Sequence, residues 1–235
     1  MIKSCDSLSF MRVVLIRHAH SEANEAGVLS GRRPNVHLSP RGVEQAKNLA
    51  DRLGHFPISQ IRISPMERCL ESIEPWLQST IALKSPTLIP ILDQDLNEVD
   101  YGSWSGKKLS TLSRSKLWKV VQEMPSRMYF PDGEGIAQMQ IRAIKVVHNS
   151  ISLNKKGALV IVSHGDVIKS IVASALAMQL DEFQRIIIDP VSVSILDYSQ
   201  GKPRVLLLND TGAVVTELLQ QPKRAKNLIG GGSGK

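Results

Sequence analysis

Two histidines in this chain lie one polar residue beyond an apolar run, and the residue types around them are suited to binding an anion. The stretch "VVLIRHAH" leads into Arg17 and His18, and the stretch "VIVSHGD" leads into His164. Each run is continuously apolar, which is typical of a strand buried on both faces. An unpaired buried charge is costly, so Arg17 needs an anion or several acceptors. A neutral histidine beside it has one free nitrogen for nucleophilic attack or metal binding.

A second arginine is placed where an anion would make it favourable. Arg68 follows the stretch "ISPME" and falls in the first turn of a predicted helix, near the positive end of the helix dipole. A bound anion would reverse that penalty, because helix N-termini also present free N–H groups to phosphate. Two guanidinium groups can hold phosphate oxygens bidentately. The two arginines and two histidines therefore indicate a phosphate site, provided that the fold brings them together.

The elements that would position these residues alternate between strand and helix patterns. "MRVVLIRH" predicts a first buried strand, and "LSPRGVEQAKNLADRL" predicts a helix capped by Ser39 with Pro40 at its first position. "IRISPMERCLESI" predicts a short strand and then a capping box of Ser64 and Glu67 that opens a second helix. We expect Pro75 to kink or end that helix.

The remaining elements complete an α/β pattern. "GALVIVSHGDVIKSIVASAL" predicts a buried strand, a tight turn at Gly165 and a helix that starts at Val167 with Asp166 as its N-cap. "VSVSILDY" and "PRVLLLND" predict a closing hairpin. The alternation predicts a three-layer α/β/α sandwich with a mostly parallel central sheet. Ligands of such sheets bind beyond the carboxyl ends of the strands, where the polar strand ends should converge.

A phosphate ester also needs a proton donor for its leaving alkoxide. The stretch "DLNEVDYGSWSG" supplies three carboxylates, those of Asp95, Glu98 and Asp100. No Cys/His cluster, paired-Asp metal motif or Walker loop accompanies the histidines in the sequence. We therefore expect neither a metal ion nor another cofactor at the site.

The composition narrows the class of partner. The net charge is +7, from 29 Lys and Arg against 22 Asp and Glu, which favours an anionic partner without naming it. Aromatic residues make up only 4% of the chain, which leaves few stacking platforms for single-stranded nucleic acid, and the basic residues form no dense block. We expect a small phosphorylated substrate rather than a nucleic acid.

The length of 235 residues suits one large α/β domain. We expect a flexible extension at residues 1–10, the domain at 11–219 and a flexible, basic and then Gly-rich tail at 220–235. No apolar run approaches the roughly 18 residues of a membrane span, and the N-terminal stretch is a poor secretory signal. Cys5 and Cys69 do not suggest a disulfide framework. These features predict a cytoplasmic protein, which we expect to be a monomer or a homodimer.

Four motifs stand in a specific order along the chain. They are "LIRHAHSEAN", "SPMERCLES", "LNEVDYGSWSG" and "VSHG". The first resembles the R-H-G signature and downstream Asn of the histidine phosphatase superfamily, also called the phosphoglycerate mutase-like family. The others resemble its S-P-x-x-R-x-x-x-[ST] helix, its L-x-E-x-x-x-G-x-W-x-G segment and its second histidine. The likeness runs from about Met11 to Asn209, and it implies a phosphoglycerate mutase-like fold and a metal-independent phosphomonoester hydrolase.

The resemblance also implies a role for each site residue. His18 would be the nucleophile that becomes a phosphohistidine, and Glu98 would protonate the leaving oxygen and then activate water. The groups expected to bind the phosphoryl group are Arg17, Asn24, Arg68, His164 and Gly165. Of these, the two arginines and His164 would also stabilise the transition state. These roles agree with the physical needs of phosphoryl transfer, in which a protein mainly positions groups and neutralises charge.

Some residues depart from the family pattern. Ala19 replaces the usual Gly and is still small, while His20 stands where Glu or Gln is common, so we expect His20 to be local structure or pocket rim. Asp166 is the second choice as the acid after Glu98, and Asp100 is the third.

Two alternative functions remain for the same fold. The family's cofactor-dependent mutases have a Trp just before the signature Asn and an Arg-rich insertion, whereas here Ala23 precedes Asn24 and no paired-Arg stretch is found in the middle region. A phosphatase is therefore favoured over a phosphomutase. A non-catalytic phospho-ligand binding module is the other alternative, and the intact set of catalytic residues argues against it.

Residues 103–135 are the expected source of specificity. Between Ser103 and Phe130 there are six basic residues and one acid, Glu123. A solvated helix face explains most of them, although a subset over the pocket would favour a substrate with extra negative charge. Trp104 and Trp118 are expected to be packing residues. The six basic residues are Lys107, Lys108, Arg114, Lys116, Lys119 and Arg127.

Overall fold

A six-stranded sheet forms the centre of the molecule. The computed structural model describes residues 11–84, 89–153, 156–199, 202–212 and 214–216, so the expected extension at 1–10 and the tail at 220–235 lie outside the described residues. The strand order is β3-β2-β4-β1-β5-β6. The strands are β1 (Met11–Arg17), β2 (Ile58–Ile63), β3 (Ile91–Leu92), β4 (Gly157–Ser163), β5 (Val193–Asp197) and β6 (Arg204–Asp210).

The sheet is mostly parallel, as the sequence predicts. The pairs β1–β4, β2–β4 and β2–β3 are parallel, and the chain ends in the expected antiparallel hairpin of β5 and β6, which pairs with β1 through β5. In β1, Val13 and Leu15 belong to one hydrophobic core and Val14 and Ile16 to the other, so the strand is buried on both faces. The continuous apolar run follows from this two-sided burial.

Helices cover both faces of the sheet, which confirms the three-layer α/β/α sandwich. One core packs β1 and β4 against α6 and α7, and the other packs them against α2 and α3. Short 3-10 turns lie in the connections, including Gln94–Leu96 and Gly102–Trp104. These two turns lie on either side of Glu98, and residues 95–106, which contain the candidate acids, are called the acid segment below. The helices are α1 (Glu22–Glu25), α2 (Pro40–Leu53), α3 (Glu67–Lys84), α4 (Leu109–Leu112), α5 (Lys116–Glu123), α6 (Ile136–Leu153) and α7 (Gly165–Ala175).

The predicted start of α2 is confirmed and the predicted cap of α3 is wrong. Of the two expectations for Pro75, the end of the helix is wrong and the kink stays a prediction. The Ser39 hydroxyl accepts a hydrogen bond from the N–H of Gly42, and Pro40 occupies the first helical position. Ser64 does not cap α3, because its hydroxyl contacts Asn97 and His164 instead. Pro75 does not end α3, which continues to Lys84.

The N-terminus of α7 also differs from the expectation. Asp166 is not the N-cap, because the helix already begins at Gly165 and His164 occupies the cap position. The Asp166 carboxylate instead accepts a hydrogen bond from the Tyr101 hydroxyl and lies near Lys169. It is therefore committed to tertiary contacts around a pocket rather than to local capping.

Within the described ranges, we find no helix that combines the length and apolarity that a membrane span requires.

A matched pair of glycine substitutions tests how tightly the acid segment is packed. Gly27 and Gly102 both have positive φ, +63° and +49°. A Cβ at Gly102 would lie 2.1 Å from the Pro131 carbonyl oxygen. At Gly27, apart from the glycine and its chain neighbours, no atom of the described residues lies within 4 Å of a Cβ. We expect Gly27→Ala to lower the free energy of unfolding by about 1 kcal/mol. Gly102→Ala should lower it by about 3 kcal/mol or more, because the backbone must also move. Thermal denaturation measures both, and equal losses would contradict the packing argument.

Candidate active site

The parallel pairing of β1 and β4 brings the two histidines together. Arg17 pairs with Ser163 at the carboxyl ends of these strands, so His18 and His164 leave the sheet side by side. Their ring centroids are 5.2 Å apart with an interplanar angle of 63°. Arg68, from the start of α3 beyond β2, reaches His164 with its Nη2 atom at 3.2 Å from Nδ1. The predicted polar strand ends therefore converge.

The protonation of His18 is set by its neighbour. His18 is 4% exposed, and its Nδ1 lies 2.7 Å from the Ala19 carbonyl oxygen. Because a carbonyl only accepts, Nδ1 must donate, and the lone pair of the neutral ring is on Nε2. Burial, and then the charges of Arg68 and Arg17, lower the pKa of His18 well below its usual value. His18 thus presents a neutral Nε2 at neutral pH.

His164 has the opposite tautomer. The Asn97 amide donates to Gln94 Oε1 at 2.6 Å, so its Oδ1 accepts from the Ser64 hydroxyl at 3.0 Å. The Ser64 oxygen then accepts from His164 Nε2 at 2.8 Å, which leaves Nδ1 to accept from Arg68. Burial and the charge of Arg68 lower the pKa of His164 well below its usual value. His164 thus orients Arg68. The expected contact of His164 with phosphate stays a prediction.

The two guanidinium groups have unused donors inside the protein. Arg68 is 1% exposed, and its Nη2 donates to the Gly31 carbonyl at 2.8 Å. Its Nε and Nη1 have no hydrogen-bond partner among the described residues. Arg17 Nη1 donates to the Ile188 carbonyl at 2.6 Å, while its Nε likewise lacks such a partner. Buried donors of charged groups are costly to leave unpaired, so an anion that accepts from them would be stabilising.

Asn24 and Gly165, like Arg17, line the pocket beside His18. Arg68 and His164 are not among its lining residues. Asn24 accepts hydrogen bonds at Oδ1 from the Ser21 backbone and hydroxyl, which leaves its amino group as the donor for a ligand. Gly165 opens α7, whose N-cap provides no side-chain hydrogen bond. A Cβ there would make only an ordinary 3.6 Å contact with Arg17 Nε, so local packing does not require glycine.

Two carboxylates line the pocket, those of Glu98 and Asp166. Burial and the negative charge of Asp166 raise the pKa of Glu98 to about 7. A hydrogen bond that the carboxylate accepts from the Val99 N–H at 2.9 Å acts in the opposite direction and lowers the pKa. The Tyr101 hydroxyl donates to Asp166 at 3.0 Å. Neither Asp95 nor Asp100, the other candidate acids, lines the pocket. The geometry thus retains the first and second choices for the acid.

A network that the sequence did not reveal holds Glu98 in place. The Glu98 carbonyl accepts from Arg32 Nε at 2.9 Å and from Arg142 Nη2 at 3.1 Å. Glu134 accepts from both guanidinium groups, at 2.7 and 2.6 Å, and from the Asp100 N–H at 2.9 Å. Although burial opposes it, pairing with Arg142 holds the pKa of Glu134 below its usual value. We call Arg32, Glu134 and Arg142 the Glu134 clamp; no local pattern marks these residues.

The pocket has a volume of about 280 Å³ and is only partly polar. Residues 103–135 contribute to it as expected, but through apolar side chains and Gln122. None of the six basic residues lines it, and all six are exposed, so a solvated face describes them. Lys169 is a lining cation that sequence reasoning missed. His20 contacts Ser39 at 2.8 Å, as expected of local structure.

Comparison with known proteins finds similar proteins over most of the chain. The model of the histidine phosphatase superfamily (branch 1) matches residues 13–211. Phosphoserine phosphatase 1 of Hydrogenobacter thermophilus is 26% identical over 203 residues, 86% of this chain and 93% of that one. A probable phosphatase of Schizosaccharomyces pombe is 34% identical over 163 residues, 67% of this chain and 70% of that one. A probable phosphoglycerate mutase of Proteus mirabilis is 24% identical over 81% of this chain and 86% of that one.

The fold has counterparts among solved structures as well. A putative alpha-ribazole-5'-P phosphatase from Escherichia coli superposes with a TM-score of 0.74, covering 86% of this chain and 98% of that one at 23% identity. Together with the family match, this confirms the resemblance drawn from the four motifs, the phosphoglycerate mutase-like fold and the expectation of a phosphatase enzyme. The chain belongs to the histidine phosphatase superfamily, branch 1.

Proposed function

We propose that this protein hydrolyses phosphomonoesters of small molecules without a metal ion, through a phosphohistidine at His18. The observation that carries the proposal is the neutral Nε2 of His18 beside buried guanidinium donors of Arg17 and Arg68 that have no partner among the described residues. A neutral nucleophile next to these donors of Arg17 and Arg68, which we call the phosphate cradle, suits covalent phosphoryl transfer, because the charges needed by the transition state are already in place.

In the first step, the lone pair of His18 Nε2 forms a bond to phosphorus as the ester P–O bond breaks. Glu98 gives its proton to the leaving oxygen, and its pKa of about 7 leaves a large protonated fraction at neutral pH. The Nδ1–H of His18 donates to the Ala19 carbonyl, which partly balances the positive charge that develops on the ring. Arg17, Arg68 and Asn24 hold the phosphoryl oxygens.

In the second step, ionised Glu98 takes a proton from water while the water oxygen attacks phosphorus. The P–N bond breaks, inorganic phosphate leaves and His18 returns to its neutral form. Covalent capture divides one difficult displacement into two easier ones. His164 supports both steps by holding Arg68 in place through its Nδ1.

The Glu134 clamp fixes the acid relative to the phosphate cradle. Both arginines donate to the Glu98 carbonyl, while Gly31, the residue before Arg32, accepts from Arg68. The backbone of the acid and the guanidinium of the cradle are thus joined through two consecutive residues. Catalytic groups lose rate steeply when they are misplaced by as little as about 1 Å.

The identity of the partners and the location belong to the same proposal. A small phosphorylated substrate, a monomer or homodimer, no nucleic-acid partner and a cytoplasmic location remain predictions from the sequence. A phosphomutase is the alternative, because a probable mutase is among the similar proteins. Transfer of phosphate to a second substrate hydroxyl, rather than to water, would identify it.

Replacing the nucleophile tests the reaction class. We expect native protein with EDTA to release inorganic phosphate from p-nitrophenyl phosphate and from alkyl phosphates, and His18→Ala to lose more than about a thousandfold in kcat. Phosphate release is measured colorimetrically, with His55→Ala as a control outside the pocket. Native activity in His18→Ala would show that His18 is not the nucleophile. Loss of native activity in EDTA would contradict a metal-independent reaction.

The pH profile tests the acid. Because the pKa of Glu98 is raised to about 7, its acid form is lost as pH rises, so kcat/KM for glycerol 2-phosphate should fall above about pH 7. Asp166→Asn removes a charge that raises this pKa, so the falling limb should move to lower pH. The limb should be much shallower with p-nitrophenyl phosphate, whose leaving group needs no proton. An unmoved limb in Asp166→Asn would exclude Glu98 as the group observed.

Neutralising the clamp tests the positioning argument. Glu134→Gln should lower kcat for glycerol 2-phosphate about tenfold or more and leave the inhibition constant of inorganic phosphate within about twofold, because the cradle arginines are untouched. The exposed Glu123→Gln, which loses only a surface pair with Lys119, is the matched control. Circular dichroism confirms folding at the assay temperature. A parallel loss of phosphate affinity would instead indicate general disruption of the site.

A further inference from the structure

The part of the pocket beyond the phosphate cradle is built for an uncharged aromatic group. We propose that the enzyme acts on phosphomonoesters whose leaving alcohol has a flat, apolar ring system and no additional charged group. This inference rests on the proposed hydrolysis at His18, and it concerns the organic half of the same substrate.

One wall of this region is aromatic. The rings of Trp104 and Trp118 lie nearly parallel, with an interplanar angle of 16° and centroids 6.3 Å apart. Phe130 meets Trp104 edge-on at 5.4 Å and 74°. All three line the pocket, but Trp104 and Phe130 are only 6% and 1% exposed, so Trp118 presents most of the aromatic surface that a ligand can reach. Flat aromatic side chains favour a ring that stacks or packs edge-on against them.

The remaining apolar surface is aliphatic. A pocket lined in this way stabilises a ligand by removing apolar area from water, with little directional demand. Its volume of about 280 Å³ is at the small end for ligand pockets, which suits a phosphoryl group with a leaving group of one or two rings. The aliphatic lining residues are Val28, Leu29, Leu109, Val121 and Ile188.

The charges of the lining residues argue against a second ionic group on the substrate. Arg17 is at the phosphate cradle, so Lys169 is the cation left for another anion. Its Nζ lies 3.4 Å from Asp166 and donates to Gln184 Oε1 at 3.0 Å, so its charge is already balanced. A carboxylate on the leaving group would compete with Asp166 for it. An ammonium group would compete with Lys169 for Asp166.

The neutral polar side chains of the lining complete the match. Ser30 and Gln122 face the same pocket and can pair with a ring heteroatom or a hydroxyl group without adding charge. The Gln184 amide already accepts from Lys169 and donates to the Val121 carbonyl. Such groups orient an apolar ligand and supply specificity. Phosphoserine and phosphoglycerate, which have a free carboxylate, therefore fit this region less well than an aromatic alcohol ester.

A panel of alkyl phosphates tests the preference without a bias in leaving-group reactivity. We expect 2-phenylethyl phosphate to exceed phosphoserine and 3-phosphoglycerate at least tenfold in kcat/KM. Calorimetric titration of His18→Ala should show the same order of Kd, which does not depend on turnover. Equal or better binding of the carboxylate esters would overturn the inference. The expected order of Kd with no turnover in the native protein would support it and refute the proposed hydrolysis.

Two variants locate the preference in this pocket. Trp118→Ala should lower kcat/KM for 2-phenylethyl phosphate about tenfold and leave that for methyl phosphate within about threefold, whereas Leu117→Ala, an exposed neighbour outside the lining, should change neither. Gln122→Lys, at an exposed position that need not affect folding, should raise the relative kcat/KM for 3-phosphoglycerate about tenfold. Equal effects of Trp118→Ala on both esters, or no gain in Gln122→Lys, would overturn the inference.

Discussion

The parallel ladder between β1 and β4 is the interaction on which the rest of the site depends. Its register pairs Arg17 with Ser163, so the next residue of each strand is a histidine. Both strands lie inside the sheet and are buried on both faces, and a slip of one residue would exchange their two cores. The apolar packing that stabilises the domain therefore also fixes the strand register that places His18 beside His164.

Burial determines the chemistry that follows from this placement. Removal from water lowers the pKa of both histidines, and the nearby guanidinium groups lower it further. The same burial raises the pKa of Glu98. Neutral histidines and a largely protonated Glu98 thus coexist near pH 7, because desolvation shifts bases and acids in opposite directions. Arg68 Nε and Nη1, which have no hydrogen-bond partner among the described residues, are donors that a bound anion would satisfy.

Sequence patterns predicted the features that depend on local order. Apolar runs, the Ser39 cap and the strand ends identified the layers of the fold and the convergence of His18, Arg68 and His164. Patterns failed where tertiary contacts compete with local ones. The hydroxyl of Ser64 serves Asn97 and His164 rather than α3, and Asp166 accepts from Tyr101 rather than capping α7. Arg32 and Glu134 are 102 residues apart, so no local pattern could predict their pairing.

The chain enters and leaves the specificity segment at nearly the same place. The Ser103 N–H donates to the Pro131 carbonyl at 2.9 Å, and the Glu134 N–H donates to the Asp100 carbonyl at 2.9 Å. Residues 103–130 therefore form a cassette closed at its base, while the acid segment is anchored below it. Trp104, Leu112 and Phe130 of this cassette belong to the core on β1 and β4, so its length is constrained. The exposed lining residues Leu109 and Gln122 can change at small thermodynamic cost. On the proposed function, substitutions at these exposed positions would change substrate choice while the residues proposed for phosphoryl transfer stay in place.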